Sequence, residues 1–234
     1  RPDAEDWRTA AVPEGLRAAL TEPAFEMDWI SYCLWWAPTD ARWRSGTPAS
    51  PDALDVPLGH LHLLVDDPAA YGAIAAANAL SDIYACGGDP KVVLNLAGFP
   101  EDWDEETILS IVDAAVAKVV ESGAIWAGGH TVRSKEPLFG FAVFGEVAED
   151  ALVTNSGALP GDLLYLTKAL GCGPLNTAVK RGVADPGQVE AACAGMARLN
   201  DVAGAALGPA GVRAATDVTG FGLMGHAANL ARAS

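Results

Sequence analysis

Three short runs of this chain carry residue types whose spacing suits chemistry on a phosphorylated ligand. Asn78 and Asp82 stand four apart, on one face of a helix. Their surroundings are so rich in Ala, Leu and Ile that this helix should be buried nearly all round. A buried aspartate needs a partner, and a metal ion, a basic side chain or local backbone N–H groups can each supply it. Gly128-Gly129-His130-Thr131 closes a predicted strand. Glycines there let a ligand approach the backbone, whose N–H groups can hold phosphate oxygens; the competing reading is a plain tight turn. In Ala215-Thr216-Asp217-Val218-Thr219-Gly220-Phe221-Gly222, Asp217 ends a strand and glycines open a helix. That offers a hard oxygen ligand for Mg²⁺ beside a helix N-terminus, or else an Asx-turn that caps the helix.

Other chemistries find less support. His130 and His226 have no companion at ligand spacing, and the four cysteines include no Cys-x-x-Cys pair. Cys86, Cys172 and Cys193, set among Ala and Gly, read as packing residues. There is no Walker A run, no dinucleotide fingerprint and no Gly-x-Ser-x-Gly elbow. Phosphate chemistry here would therefore rely on Mg²⁺ held by carboxylates.

The elements that would position these residues follow from periodicity and caps. Asp67-Pro68 opens a helix that runs to Gly87-Gly88, with Asp as N-cap and Pro in the first turn. Lys91–Ala97 reads as a strand, and residues 104–122 carry an apolar stripe at Ile108, Ile111, Val112, Ala115 and Val119. Strands are expected around 124–127 and 138–147, then a turn-rich boundary at 154–162. Beyond it the pattern gives a strand over LLYLTK, helices near 174–181 and 187–207, a strand ending at Thr216, and a last helix in TGFGLMGHAANLAR. Alternating strands and helices indicate an α/β or two-layer α+β fold.

Composition narrows the partners. The chain has 234 residues, half of them apolar, and a formal net charge of −15. Such an acidic chain suits neither nucleic acid nor an anionic membrane surface. No run reaches the roughly 18 apolar residues of a membrane span, and no charged-then-apolar leader opens it. The expectation is a cytoplasmic protein with reduced thiols.

Taken together, VDDPAAYGAIAAANALSDIYACGGDP, AGGHTVRSKEPLFGFAVFGEV, TNSGALPGDLLYLTKALGCG and ATDVTGFGLMGHAANL resemble the selenophosphate synthetases (selenide, water dikinases). These belong to the aminoimidazole-ribonucleotide-synthetase superfamily. The resemblance runs almost continuously over residues 65–234, and TDVTGFGLMGH is its most specific part. It implies a PurM-like two-domain fold: a divergent segment 1–64, an ATP-binding dimerisation domain 65–156 and an incomplete second domain 157–234. It also implies synthesis of selenophosphate from selenide, ATP and water, with release of AMP and phosphate. Carried over by motif, Asp82 would hold Mg²⁺ and nucleotide, Gly128, Gly129 and His130 would contact nucleotide, and Asp217 would be a further Mg²⁺ ligand. A homodimer paired through the N-terminal domains is implied as well.

The departures from the family pattern lie near the start. Val12–Leu20 resembles the Pro-Glu-x-Leu helix of the family, but Trp7–Ala11 before it holds neither the Cys or selenocysteine nor the Lys that the family carries. Cys33 sits in SYCLWW, a different context. The Asp-Asp-Ala-Ala metal motif is missing, and Gly59 stands where a strand aspartate belongs. Codons for Gly59-His60-Leu61-His62, read one base later, can spell Asp-Ile-Phe-Thr. A frameshift between about Leu20 and Val65 would thus leave the Trp-rich, Lys-free interval seen; a genuinely divergent N-terminus is the alternative. No catalytic residue is assigned. Two further readings stay open: a non-catalytic, nucleotide-sensing paralogue, and a small-molecule kinase of the same superfamily, such as a relative of thiamine-phosphate kinase.

Overall fold

The computed structural model describes residues 67–135 and 137–234, together with the backbone of Ser31–Cys33. The Val12–Leu20 helix, Gly59 and, apart from Ser31–Cys33, the interval from Leu20 to Val65 lie outside the described residues.

A four-stranded sheet and two helices build the first layer pair. Strand β1 (Ser31–Cys33) is followed by helix α1 (Pro68–Ala85), strand β2 (Asp89–Phe99), helix α2 (Glu105–Glu121), and strands β3 (Ile125–Arg133) and β4 (Leu138–Glu146). The sheet order is β1-β4-β2-β3, with β2 and β3 parallel and the other pairs antiparallel. The parallel pair needs a crossover, and α2 supplies it.

Local chemistry sets both helices. The Asp67 carboxylate accepts from the N–H groups of Ala69 and Ala70, at 3.2 Å each, with Pro68 in the first turn. At the far end Cys86 caps α1, and Gly87 turns the chain with φ +78°. Asp104 starts α2 by accepting from the Thr107 N–H at 2.7 Å, and Gly123, also at φ +78°, ends it. The expected bounds of both helices hold to within a residue or two.

The core lies between sheet and helices. Val93, Ala97 and Phe99 of β2 and Phe139, Phe141 and Val143 of β4 pack against Ala76, Ala79, Leu80 and Ile83 of α1. Ile111, Ala115 and Val119 of α2 complete it, matching the stripe read from sequence. The rings of Phe139 and Phe141 meet edge to face at 5.1 Å, and Trp126 meets Phe141 in the same way at 5.2 Å. At Gly72 the two helices touch through their backbones: a Cβ there would lie 1.9 Å from the Ile111 carbonyl oxygen.

After a short 3₁₀ turn (Glu149–Ala151), helices α3 (Cys172–Lys180), α4 (Pro186–Ala197), α5 (Asp201–Ala206) and α6 (Gly222–Ala233) follow. Leu175, Val179, Cys193, Met196 and Ala197 pack on Ile74, which faces away from the main core.

Four expectations are corrected here. LLYLTK (163–168) is not a strand: Leu163, Leu164 and Tyr165 are exposed, Tyr165 by 83%. Its β-prone side chains find no neighbouring strand among the described residues, and strand propensity without a partner forms no ladder. The helix expected over 187–207 breaks into α4 and α5. Arg198 leaves the helical region at ψ 132°, where the Lys168 ammonium donates to the Arg198 carbonyl oxygen. The strand ending at Thr216 is reduced to one parallel bridge, Thr154 with Ala214. Finally, the strand expected around 124–127 continues to Arg133, so Gly128-Gly129-His130 lies within β3 instead of closing it.

Candidate functional site

Asp82 sits in the last full turn of α1, where an Ala-rich face lets the helix pack closely. Asp217 reaches it from the other half of the chain. The Thr154–Ala214 bridge and the Ala215 N–H, which donates to the Thr154 carbonyl at 3.1 Å, fix the backbone just before it. The two carboxyl groups are hydrogen-bonded to each other. Burial first, and then the charge of Asp82, push Asp217 up to about 7. Two carboxylates this close cannot both ionise freely, so near neutral pH the pair keeps a proton. The Ser81 hydroxyl hydrogen-bonds to Asp217 and favours its charged form.

Around the pair stand a thiol and an imidazole. Burial and the two aspartates raise the Cys86 thiol, so it stays protonated and is no nucleophile as it stands. His226, only 9% exposed, is held below its usual range by burial, with Asp82 pulling the other way. Its Nε2 accepts from the Thr219 N–H at 3.1 Å, which places the ring proton on Nδ1. His226 thereby ties the Thr219–Gly222 loop to α6, a role the sequence reading did not give it. A buried histidine one turn into a glycine-entered helix was the available signal.

Two of the expected site residues are thus brought together and three are not. Gly128, Gly129 and His130 lie exposed in β3, the edge strand among the described residues. Between Val93 and Asn95 of β2, β3 carries one extra residue, a bulge at which Gly128 takes φ +109°. Gly129 then presses on Asn95, where a Cβ would come within 2.1 Å of both the carbonyl and side-chain oxygens. The glycines serve a bulge and a close strand approach, not a tight turn. His130 does not join the aspartates, since no three His, Cys, Asp or Glu side chains gather as a ligand set among the described residues. An open groove of about 820 Å³ runs beside β3 and α2, lined by Trp103, Trp126, Val112 and Thr131, with the Arg133–Glu101 ion pair (2.9 Å) at its rim.

Two family models match the chain: the AIR synthase related protein N-terminal domain over residues 53–147 and the C-terminal domain over 160–234. The chain belongs to the AIR synthase related family. Within it, the similarity is to selenophosphate synthetases. It is 45% identical over 171 residues to selenide, water dikinase 2 of Peptoclostridium acidaminophilum, covering 73% of this chain and 49% of that protein. It is 49% identical over 165 residues to selenide, water dikinase of Myxococcus xanthus strain DK1622, covering 70% and 47%. The chain therefore spans about half the length of the curated relatives it matches. Among solved structures, thiamine-monophosphate kinase from Stenotrophomonas maltophilia K279a superposes with a TM-score of 0.60 at 22% identity, over 70% of this chain and 55% of that one. That likeness supports the α/β fold alone. The N-terminal family model begins at residue 53, twelve residues before the resemblance read from sequence.

Proposed function

We propose that this chain supplies the metal–nucleotide half-site of a selenophosphate synthetase, which uses ATP, selenide and water to give selenophosphate, AMP and phosphate. The observation that carries the reading is the Asp82–Asp217 pair, two hard oxygen donors brought together from the two halves of the chain. Mg²⁺ characteristically takes one or two protein carboxylates and fills its shell with water and substrate phosphate oxygens. The pair fits that donor set, and a divalent cation would take the place of the shared proton. When bound, Mg²⁺ would supply charge neutralisation for the phosphates. Asp82 and Asp217 would hold the cation, Ser81 would orient Asp217, and His226 would keep the adjoining glycine loop in place. Contacts from Gly128, Gly129 and His130 to the nucleotide belong to the same proposal.

The domain division at 65–156 and 157–234, the homodimer paired through the N-terminal domains and the cytoplasmic location are likewise proposed. No helix of the described residues is long and apolar enough to cross a membrane.

One observation favours a second reading, a nucleotide-binding module without turnover. Trp7–Ala11 holds neither the thiol or selenol nor the lysine expected before the Val12–Leu20 helix.

Calorimetric titration with a non-hydrolysable ATP analogue, with and without Mg²⁺, tests the half-site. Mg²⁺-dependent binding that is lost in Asp82→Ala supports it. Binding indifferent to Mg²⁺ and to Asp82 removes it. A selenide-dependent release of AMP would then separate the enzyme from the binding module.

A further inference from the structure

The break between α4 and α5 does more than end a helix. Lys168 anchors it by donating to the Arg198 carbonyl, and Leu199, Asn200 and Gly204 beyond it dock on α1. Leu199 is 3% exposed and joins the main core beside Ile83 and Tyr84. The Asn200 amide nitrogen donates to the Ser81 hydroxyl oxygen at 2.9 Å. One turn further on, Gly204 lies so close that a Cβ would meet the Tyr84 carbonyl oxygen at 2.9 Å and the Tyr84 Cα at 3.2 Å. Three successive contacts, made 119 residues apart in sequence at the Asn200–Ser81 pair, thus fix this stretch on the turn of α1 that carries Asp82.

The Ser81 hydroxyl has one proton and two lone pairs. Asn200 occupies a lone pair as donor, so the Ser81 proton is left to point at its other partner, the Asp217 carboxylate. Ser81 is 5% exposed, which leaves little room for water to replace either bond.

We propose that Asn200 is a positioning residue for the metal site: through Ser81 it fixes the direction in which Asp217 presents its carboxylate beside Asp82. This rests on the reading of Asp82 and Asp217 as cation ligands. Asn200 acts through its hydrogen bond to Ser81. Its contribution is that of an outer-shell partner, whose loss characteristically weakens metal affinity by about 10- to 100-fold.

Mn²⁺, a paramagnetic stand-in for Mg²⁺, provides the readout. Free Mn²⁺ would be titrated by electron paramagnetic resonance against the 234-residue chain and against Asn200→Ala, Ser81→Ala, the double variant and Asp217→Ala. The expected result is about tenfold weaker binding in Asn200→Ala at unchanged stoichiometry. The double variant should be no weaker than Ser81→Ala alone, because both changes cut one path. A merely structural role would lower the bound fraction without moving the affinity of the folded molecules. Asn200→Asp, which keeps the size but removes the amide donor, should bind as weakly as Asn200→Ala; if Asn200→Ala does not fold, this variant carries the test. Affinity within twofold of the parent in both Asn200 variants, with binding lost in Asp217→Ala, overturns the inference and spares the metal site. Parent-like affinity in Asp217→Ala overturns the metal site itself, and the inference with it.

Discussion

Replacing Asp217 with asparagine should stabilise the metal-free protein at neutral and alkaline pH while removing its response to Mg²⁺. In the folded chain Asp217 titrates at about 7, against 3.8 for a free aspartate. Between those values the folded state holds a proton that the unfolded chain has released. Stability therefore falls as pH rises through the window, and it is greatest below the unfolded value. Three pH units at about 1.4 kcal/mol each set a ceiling on the order of 4 kcal/mol. Water reaching the half-buried carboxyl reduces this to roughly 1–3 kcal/mol. Asp217→Asn removes the ionisation and keeps the shape. Urea unfolding at about pH 3.5 and pH 8.5, without metal, should therefore give parent and variant similar stabilities at the acid end. At the alkaline end the variant should lead by about 1–3 kcal/mol. Millimolar Mg²⁺ at the higher pH should raise the parent's midpoint and leave the variant's unchanged, since a cation that binds only the folded form stabilises it by mass action. A flat pH profile for the parent, or a variant no more stable at pH 8.5, would refute the shared-proton argument.

Other consequences are as open to measurement. Gly129→Ala should destabilise by about 2–3 kcal/mol, because its Cβ would meet Asn95 oxygens at 2.1 Å. Gly128→Ala, with open space around it but φ +109°, should lose about 1 kcal/mol, both read by chemical denaturation. The Thr219 amide should lose hydrogen-exchange protection on acidification: His226, held below its usual range, binds a proton less readily when folded, so acid withdraws the Nε2 acceptor and favours opening. Replacing Leu164 and Tyr165 with lysine should lower binding of an apolar dye without lowering the unfolding midpoint, since both side chains are exposed.

The first half of the described chain was legible because its signals are local. Asp67-Pro68 and Gly87, and Asp104 and Gly123, mark helix ends through caps made within a few residues, and the stripe from Ile108 to Val119 needs only its own period. Asp82 and Asp217 could be nominated for a similar reason: a carboxylate in an apolar helix and one before a glycine loop each stand out from their own few residues of sequence. Their meeting depends on contacts across more than a hundred residues and was not readable. The LLYLTK reading failed because strand propensity measures fit to a neighbour, and none is present among the described residues. The glycines at 128 and 129 stand out in the sequence, but a bulge and a tight turn ask for the same residue. Only the register of β3 against β2 separates them.

Where α1 crosses α2, backbone meets backbone: Gly72 lies against the Ile111 carbonyl with no side chain between them. Most helix pairs are spaced by side chains, which drift in size as sequences change and let the axes slide. Here the spacing is set by covalent geometry that no substitution elsewhere can alter. The contact acts as a datum from which the rest of α1 is measured, nearly three turns before Asp82. Sequence change in the sheet, or on the outer face of α2, can thus be absorbed as local repacking while the carboxylate stays put. The same rigidity makes position 72 intolerant, so the freedom of the surrounding core is bought with the invariance of one atom-sized gap.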